Sequence, residues 1–384
     1  MNFNFKLLRQ LILITLFDSR RRGVRVTPQR FVILTVFLLV MVPVFLISAK
    51  FSWWLDDVLF PGYRRRKVEQ PVFIIGNPRS GTTFLHRLMV RDERNFIHFR
   101  TWELGFAPTI TQRRLYQIIG RVDRLVGGPL TRIVQKLNKR ILQSIEQHPT
   151  GLWQAEEDDL ILLYVWSSTF ILGVFPYPDE VLARILPFDQ LPEERQRVMP
   201  FYEGAVKRHL HVRQTGRRKL LSKNPVFSSR VDALYESFPD ARFVYLIRSP
   251  LNVLPSLGSY ARTVWRDFQG ETAKFPYDEH IWDTVWWWYR YTLHRLEQAP
   301  PESYIIVNYD DLTANPRETV RRIYEHFGFE LDPEFDRILV EANEKSRRYK
   351  SSHDYTLEDT GFTREQIVEE YADLFERFGF DKEG

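Results

Sequence analysis

Apolar residues run uninterrupted at Val72–Ile75, Phe243–Ile247 and Tyr304–Val307, and Lys219–Ser222, with Leu220-Leu221 at its centre, reads as a further short strand. Runs without polar alternation predict strands covered on both faces, as in a parallel sheet. Between them the pattern turns helical. Helices are expected from Phe84 onward, over Arg113 to Gln147 with a break at Gly127-Gly128-Pro129, over Leu160–Phe170, over Ser229–Phe238 and over Trp282–Leu296. Strands alternating with helices predict an α/β fold, a doubly wound parallel sheet with ligand at the C-terminal strand ends.

The first fifty residues read differently. Leu11–Phe17 is a short apolar run, Arg20-Arg21-Arg22, Arg25 and Arg30 follow, and Phe31–Ser48 carries no charge. Its length is at the low end for a membrane span, and Pro43 is tolerable there. Basic residues flank the run on both sides, the second group being Arg64–Lys67. The expectation is therefore a membrane-associated helical segment over 1–50, as a re-entrant or interfacial hairpin with both ends on the cytoplasmic face. Residues 51–70 read as a linker and 71–384 as the catalytic domain.

The chemistry concentrates in Val72–Leu88. A buried strand leads into Gly76-Asn77-Pro78-Arg79-Ser80-Gly81-Thr82-Thr83 and then a helix start. This is the layout of a phosphate-binding loop, where successive N–H groups and a helix N-terminus meet one anion. It is P-loop-like: Gly76, Gly81 and Thr83 fit G-x-x-x-x-G-K-[ST], but Thr82 occupies the lysine position. That loss argues against triphosphate chemistry, and Arg79 supplies a cation earlier in the loop.

Pro78–His86 resembles the 5′-phosphosulfate loop of sulfotransferases that use 3′-phosphoadenosine-5′-phosphosulfate (PAPS). Phe243–Pro250 and the segment to Ser256 resemble the family's 3′-phosphate motif. The resemblance runs from about Phe51 to the C-terminus. It implies that Arg79, Ser80, Gly81, Thr82 and Thr83 hold the phosphosulfate, with Lys223 as second cation. It also implies that Arg248 and Ser256 hold the 3′-phosphate and that Tyr309 lies against the adenine. Arg347, Arg348 and Lys350 occupy the region of the family's basic loop over the nucleotide. The cytosolic branch has Lys-Thr-His where this chain has Lys223-Asn224-Pro225, so its histidine base is replaced. Glu103 and His148 are the two candidate bases. PAPS is the expected co-substrate, no metal is expected, and no H-E-x-x-H spacing occurs.

The formal charge of +5 suits an anionic ligand or a membrane surface and is too weak to argue for nucleic acid. There are no cysteines and no N-x-[ST] acceptors, which favours a reducing compartment and a bacterial, cytoplasmic catalytic domain. Membrane attachment and aromatic wealth point to a lipid or other hydrophobic alcohol as acceptor. Two rivals are a nucleotide kinase with a degenerate P-loop and a membrane-anchored nucleotide binder without catalysis.

Overall fold

The computed structural model describes all residues except Met1, 25–26, 143–150, 214–215, 271–274, 349–356, 358–360 and 383–384. The side chains of 29, 40–41, 44–45, 141–142, 268 and 347–348 are also outside the description. The chain begins with α1 (Phe5–Phe17), α2 (Pro28–Val36), a π turn over Phe37–Met41, and α3 (Val42–Leu59). Then come β1 (Val72–Gly76), α4 (Thr82–Met89), β2 (Phe96–Ile97), α5 (Thr101–Gly105), α6 (Ile110–Leu125) and α7 (Pro129–Leu137). A 3₁₀ helix at Asp158–Val165 leads to α8 (Ile171–Val174), α9 (Pro178–Ile185), α10 (Pro192–Arg213) and β3 (Lys219–Lys223). The rest is α11 (Val231–Ser237), β4 (Arg242–Ile247), α12 (Pro250–Gln269), α13 (Asp278–Glu297), β5 (Tyr304–Asn308), α14 (Tyr309–Ala314), α15 (Pro316–Phe327), α16 (Pro333–Arg348), α17 (Arg364–Glu370) and α18 (Ala372–Phe378).

The five strands lie in the order β2-β3-β1-β4-β5 and every pairing is parallel. The central strands bury both faces, while β5 at the sheet edge is half-buried. On β1, Val72 and Ile74 enter a core with Leu85, Val244, Leu246, Val320 and Ile323. Phe73 and Ile75 enter the opposite core with Tyr202, Val206, Phe227, Leu234, Tyr245 and Tyr289. The side-chain period of two therefore sorts each strand between two helical layers. The chain leaves β1 toward β3 and β2, then crosses back to β4 and β5. The C-terminal ends of β1 and β4 flank this reversal, where doubly wound sheets form their ligand crevice.

Among the described residues, no helix is long and apolar enough to cross a membrane, so Phe31–Ser48 is not found as a membrane-spanning helix. The apolar run is divided by the π turn just ahead of Pro43, whose missing N–H and ring oppose a regular helix there. Much of the segment also packs on the catalytic body. Leu7, Leu11 and Leu34 are buried with Trp166, Phe175, Tyr177 and Trp288. Arg30, read from sequence as a flanking charge, is buried and donates to the Tyr177 hydroxyl at 2.9 Å.

Position 50 falls inside α3, and that helix is tied down by a buried carboxylate. Asp56 accepts the N–H groups of Ile110 and Thr111, both at 2.8 Å, so it caps α6. It also pairs with the buried Arg208 of α10 at 3.0 Å. One charge thus holds α3, α6 and α10 together.

Candidate active site

The loop after β1 is shaped by two glycines. Gly76 has φ +140°, and a Cβ there would lie 2.4 Å from the Leu246 carbonyl oxygen on β4. Only a hydrogen fits, because β1 and β4 pair in register at these two residues. Gly81 has φ +85°, and a Cβ there would lie 2.8 Å from the Tyr309 ring. Arg79 also adopts a left-handed conformation, φ +70°. Turns of this kind aim successive N–H groups into a concavity. Gly81 precedes α4 without a side-chain cap, so the first-turn N–H groups face the loop. The Ser80 hydroxyl is fully buried and has no hydrogen-bond partner among the described residues.

Neighbouring strands bring cations to this loop. Arg79 Nε donates to Ser256 Oγ at 3.0 Å, linking the loop to the second turn of α12. Arg248 follows β4 and donates to the Arg79 carbonyl at 2.8 Å. Its guanidinium carbon stands 4.0 Å from the centroid of the Tyr309 ring. Tyr309, just past β5, is thus held between Arg248 and Gly81. Lys223 is the last residue of β3, opposite Ile74 of β1. Its ammonium donates to Thr83 Oγ1 at 3.2 Å and forms an ion pair with Glu157.

A cavity of about 1940 Å³ opens on this group. It is lined by Arg79, Thr83, Arg248, Tyr309 and Glu157, and by apolar residues that include Phe170, Leu172, Trp265, Phe275 and Ile281. Behind Glu157, burial pushes the Asp158 carboxyl up to about 7, against hydrogen bonds from Tyr202 and Ser222 and the charge of Lys223. Burial, with Lys223 nearby, keeps the His86 imidazole well below its ordinary range and so neutral. A compact set of positive charges therefore faces a largely apolar chamber, and of the carboxylates that line it, Glu157 is the one that pairs with Lys223 at the anion loop. Such a set can hold a divalent anion, stabilise charge on a leaving oxygen and accept a proton from a bound hydroxyl.

The sheet, the anion loop and the converging cations define an enzyme that handles a phosphate or sulfate group. A sequence model of the Sulfotransferase family matches residues 71–333, and the chain belongs to that family and transfers sulfuryl groups. It is 25% identical over 325 residues to the omega-hydroxy-beta-dihydromenaquinone-9 sulfotransferase Stf3 of Mycobacterium bovis and of Mycobacterium tuberculosis. That alignment covers 82% of this chain and 76% of the relative. Among solved structures, sulfotransferase STF9 from Mycobacterium avium superposes with a TM-score of 0.72 at 17% identity, covering 99% of this chain and 98% of that one. Sulfotransferase STF1 from Mycobacterium tuberculosis H37Rv gives 0.68 at 22% identity, covering 96% and 92%. At these identities the two structures speak for the fold.

The structure brings Arg79, Ser80, Gly81, Thr82, Thr83, Lys223, Arg248, Ser256 and Tyr309 to the ends of β1, β3, β4 and β5. Glu103 is engaged elsewhere. Its buried carboxylate accepts the Arg100 N–H at 2.9 Å at the start of α5 and lies 3.6 Å from Arg213 and 4.0 Å from Arg113. Thr101 lines the cavity, but Glu103 points into the protein. His148 and Lys350 lie outside the described residues, as do the side chains of Arg347 and Arg348. Sequence reading passed over Glu157. The run Glu156–Asp159 reads as an acidic helix start, and nothing local distinguishes the residue that meets Lys223, 66 positions away.

Proposed function

We propose that the chain transfers the sulfuryl group of PAPS to the hydroxyl of a large apolar acceptor. The observation that carries this reading is the continuity of the cavity: the anion loop and a wall of aromatic and aliphatic side chains line the same space. A wholly polar acceptor would leave that wall in contact with water. The name of Stf3, a sulfotransferase of a dihydromenaquinone derivative, supports a lipid-like alcohol.

The residues fit an adenosine 3′-phosphate 5′-phosphosulfate donor. Gly76 and Gly81 leave room for close approach, the orphaned Ser80 hydroxyl supplies a donor, and Arg79, Lys223 and Arg248 balance its charge. PAPS, when bound, supplies an activated sulfuryl group on a phosphate leaving group. Arg79, the loop N–H groups, Thr82 and Thr83 hold that phosphosulfate. Arg248 and Ser256 hold the 3′-phosphate, and Tyr309 packs on the base. Lys223 stabilises charge gathering on the bridging oxygen. Glu157 takes the acceptor's proton, in place of Glu103, whose carboxylate is committed to α5. The apolar wall holds the acceptor hydroxyl in place and excludes water, which would otherwise compete for the sulfuryl group.

Calorimetric titration of the full chain with adenosine 3′,5′-bisphosphate, without Mg²⁺, tests the donor. Arg248→Ala removes a charge-assisted phosphate contact and is expected to weaken binding by about 1.5–3 kcal/mol, roughly ten- to a hundredfold. Absence of binding by folded wild-type protein, with ATP and Mg²⁺ binding instead, would return the chain to the kinase reading.

A further inference from the structure

We propose that the α6–α7 hairpin docks the enzyme on an anionic lipid surface. The two helices are joined by Gly127 and Gly128, both left-handed at φ +86° and +75°. Asp123 closes the joint by accepting the N–H groups of Leu130 and Thr131 at 2.8 and 2.9 Å, which caps α7. The hairpin is thus a built element with a defined turn.

Its apolar residues do not serve the core. On α6, Leu115, Ile118, Val122 and Leu125 form one stripe at helical spacing, and all are exposed. Leu125 is 85% exposed, and Val126 just after it 67%. On α7, Leu130, Ile133 and Leu137 repeat the pattern, and no residue of α7 is buried. A helix with a full apolar stripe and no partner among the described residues presents that face to a surface outside the fold. The exposed surface continues onto α3, which lies beside α6 and leaves Trp54 and Val58 uncovered.

Charge selects the occupant. From Ile110 to Lys139 six basic side chains are exposed: Arg114, Arg121, Arg124, Arg132, Lys136 and Lys139. The single acid in that span, Asp123, is buried in its capping role. An apolar stripe flanked by Arg and Lys is the composition of an interfacial helix on anionic lipid. A second copy of the same hairpin would set these cations against each other. The hairpin lies outside the apolar run of residues 31–48, so docking needs no membrane-spanning segment. None of the described residues of α6 or α7 lines the cavity, so the hairpin's test reads separately from donor binding.

The test is co-sedimentation of the full chain with phosphatidylcholine vesicles, with and without about a third phosphatidylglycerol, at about 0.1 and 0.5 M salt. Wild type is expected to partition at least tenfold better onto the anionic vesicles and to be released at high salt. Leu125→Asp with Ile133→Asp, and separately Arg121→Ser with Arg124→Ser and Lys136→Ser, should each lower partitioning about tenfold or more. These sites are exposed, so thermal midpoint and adenosine 3′,5′-bisphosphate binding should match wild type. No binding by folded wild type would overturn the proposal, as would binding that survives both sets of substitutions. So would a vesicle-free dimer, seen by sedimentation velocity, that L125D/I133D converts to monomer.

Discussion

Glu157→Gln separates two roles that one carboxylate could play beside Lys223. If Glu157 only neutralises the lysine, glutamine still offers a carbonyl oxygen to the ammonium. The loss is then the difference between a charge-assisted and a neutral hydrogen bond, about 1 kcal/mol, or less than tenfold in rate. If Glu157 accepts the acceptor's proton, glutamine abolishes that step. General-base removal costs about 10²–10⁴ in turnover, or about 2.7–5.5 kcal/mol of barrier. Donor affinity moves the other way. Removing a negative charge from a pocket for an anion leaves adenosine 3′,5′-bisphosphate binding unchanged or tighter. The assay is transfer of labelled sulfate from PAPS to the apolar alcohol that wild type uses fastest, with kcat and KM resolved and the product nucleotide titrated in parallel. A fall in kcat beyond a hundredfold with intact nucleotide binding is expected. Turnover of the variant within about tenfold of wild type would refute the base assignment and leave Glu157 as a charge partner.

Two further expectations concern stability. Asp56→Ala uncaps α6 and leaves the buried Arg208 with only Asp57, at 2.9 Å, as its carboxylate partner, so the unfolding free energy should fall by about 2–4 kcal/mol in denaturant titration. A loss under 1 kcal/mol would mean that α3 is not stitched to the body as the hydrogen bonds indicate. His98 is lowered to about 4, first by burial and then by Arg100 and Arg213. Its unfolded value is about 6.5, so its contribution is full above that pH and is lost as pH falls toward 4. His98→Gln should therefore remove roughly 3 kcal/mol of the acid-side decline between pH 6.5 and 4, while Asp158, shifted upward, opposes it equally in both proteins. Parallel stability–pH curves for the two proteins would show that His98 ionises as freely in the folded state as in the unfolded one.

Much of the fold and half of the chemistry follow from local sequence. Val72–Ile75 and Phe243–Ile247 are uninterrupted because both faces of each strand are buried, and that requirement is visible in the residues themselves. Gly76 and Gly81 mark the anion loop because no other residue fits their backbone and the space beside it. Gly127-Gly128 divides α6 from α7 through its backbone alone, both residues being left-handed with no crowding beside them. Questions of what meets what could not be read in this way. The run Phe31–Ser48 is equally apolar whether it faces lipid or the wall built by Trp166 and Phe175, because hydropathy measures aversion to water and not the identity of the cover. Glu103 and Glu157 are alike as letters. Tertiary structure buries one beside Arg113 and Arg213 and gives the other an ammonium at the end of β3. The charges needed to hold an anion are written along the chain. Which carboxylate stands opposite them depends on how β1, β3 and β4 lie side by side, and that is set by packing between segments far apart in sequence.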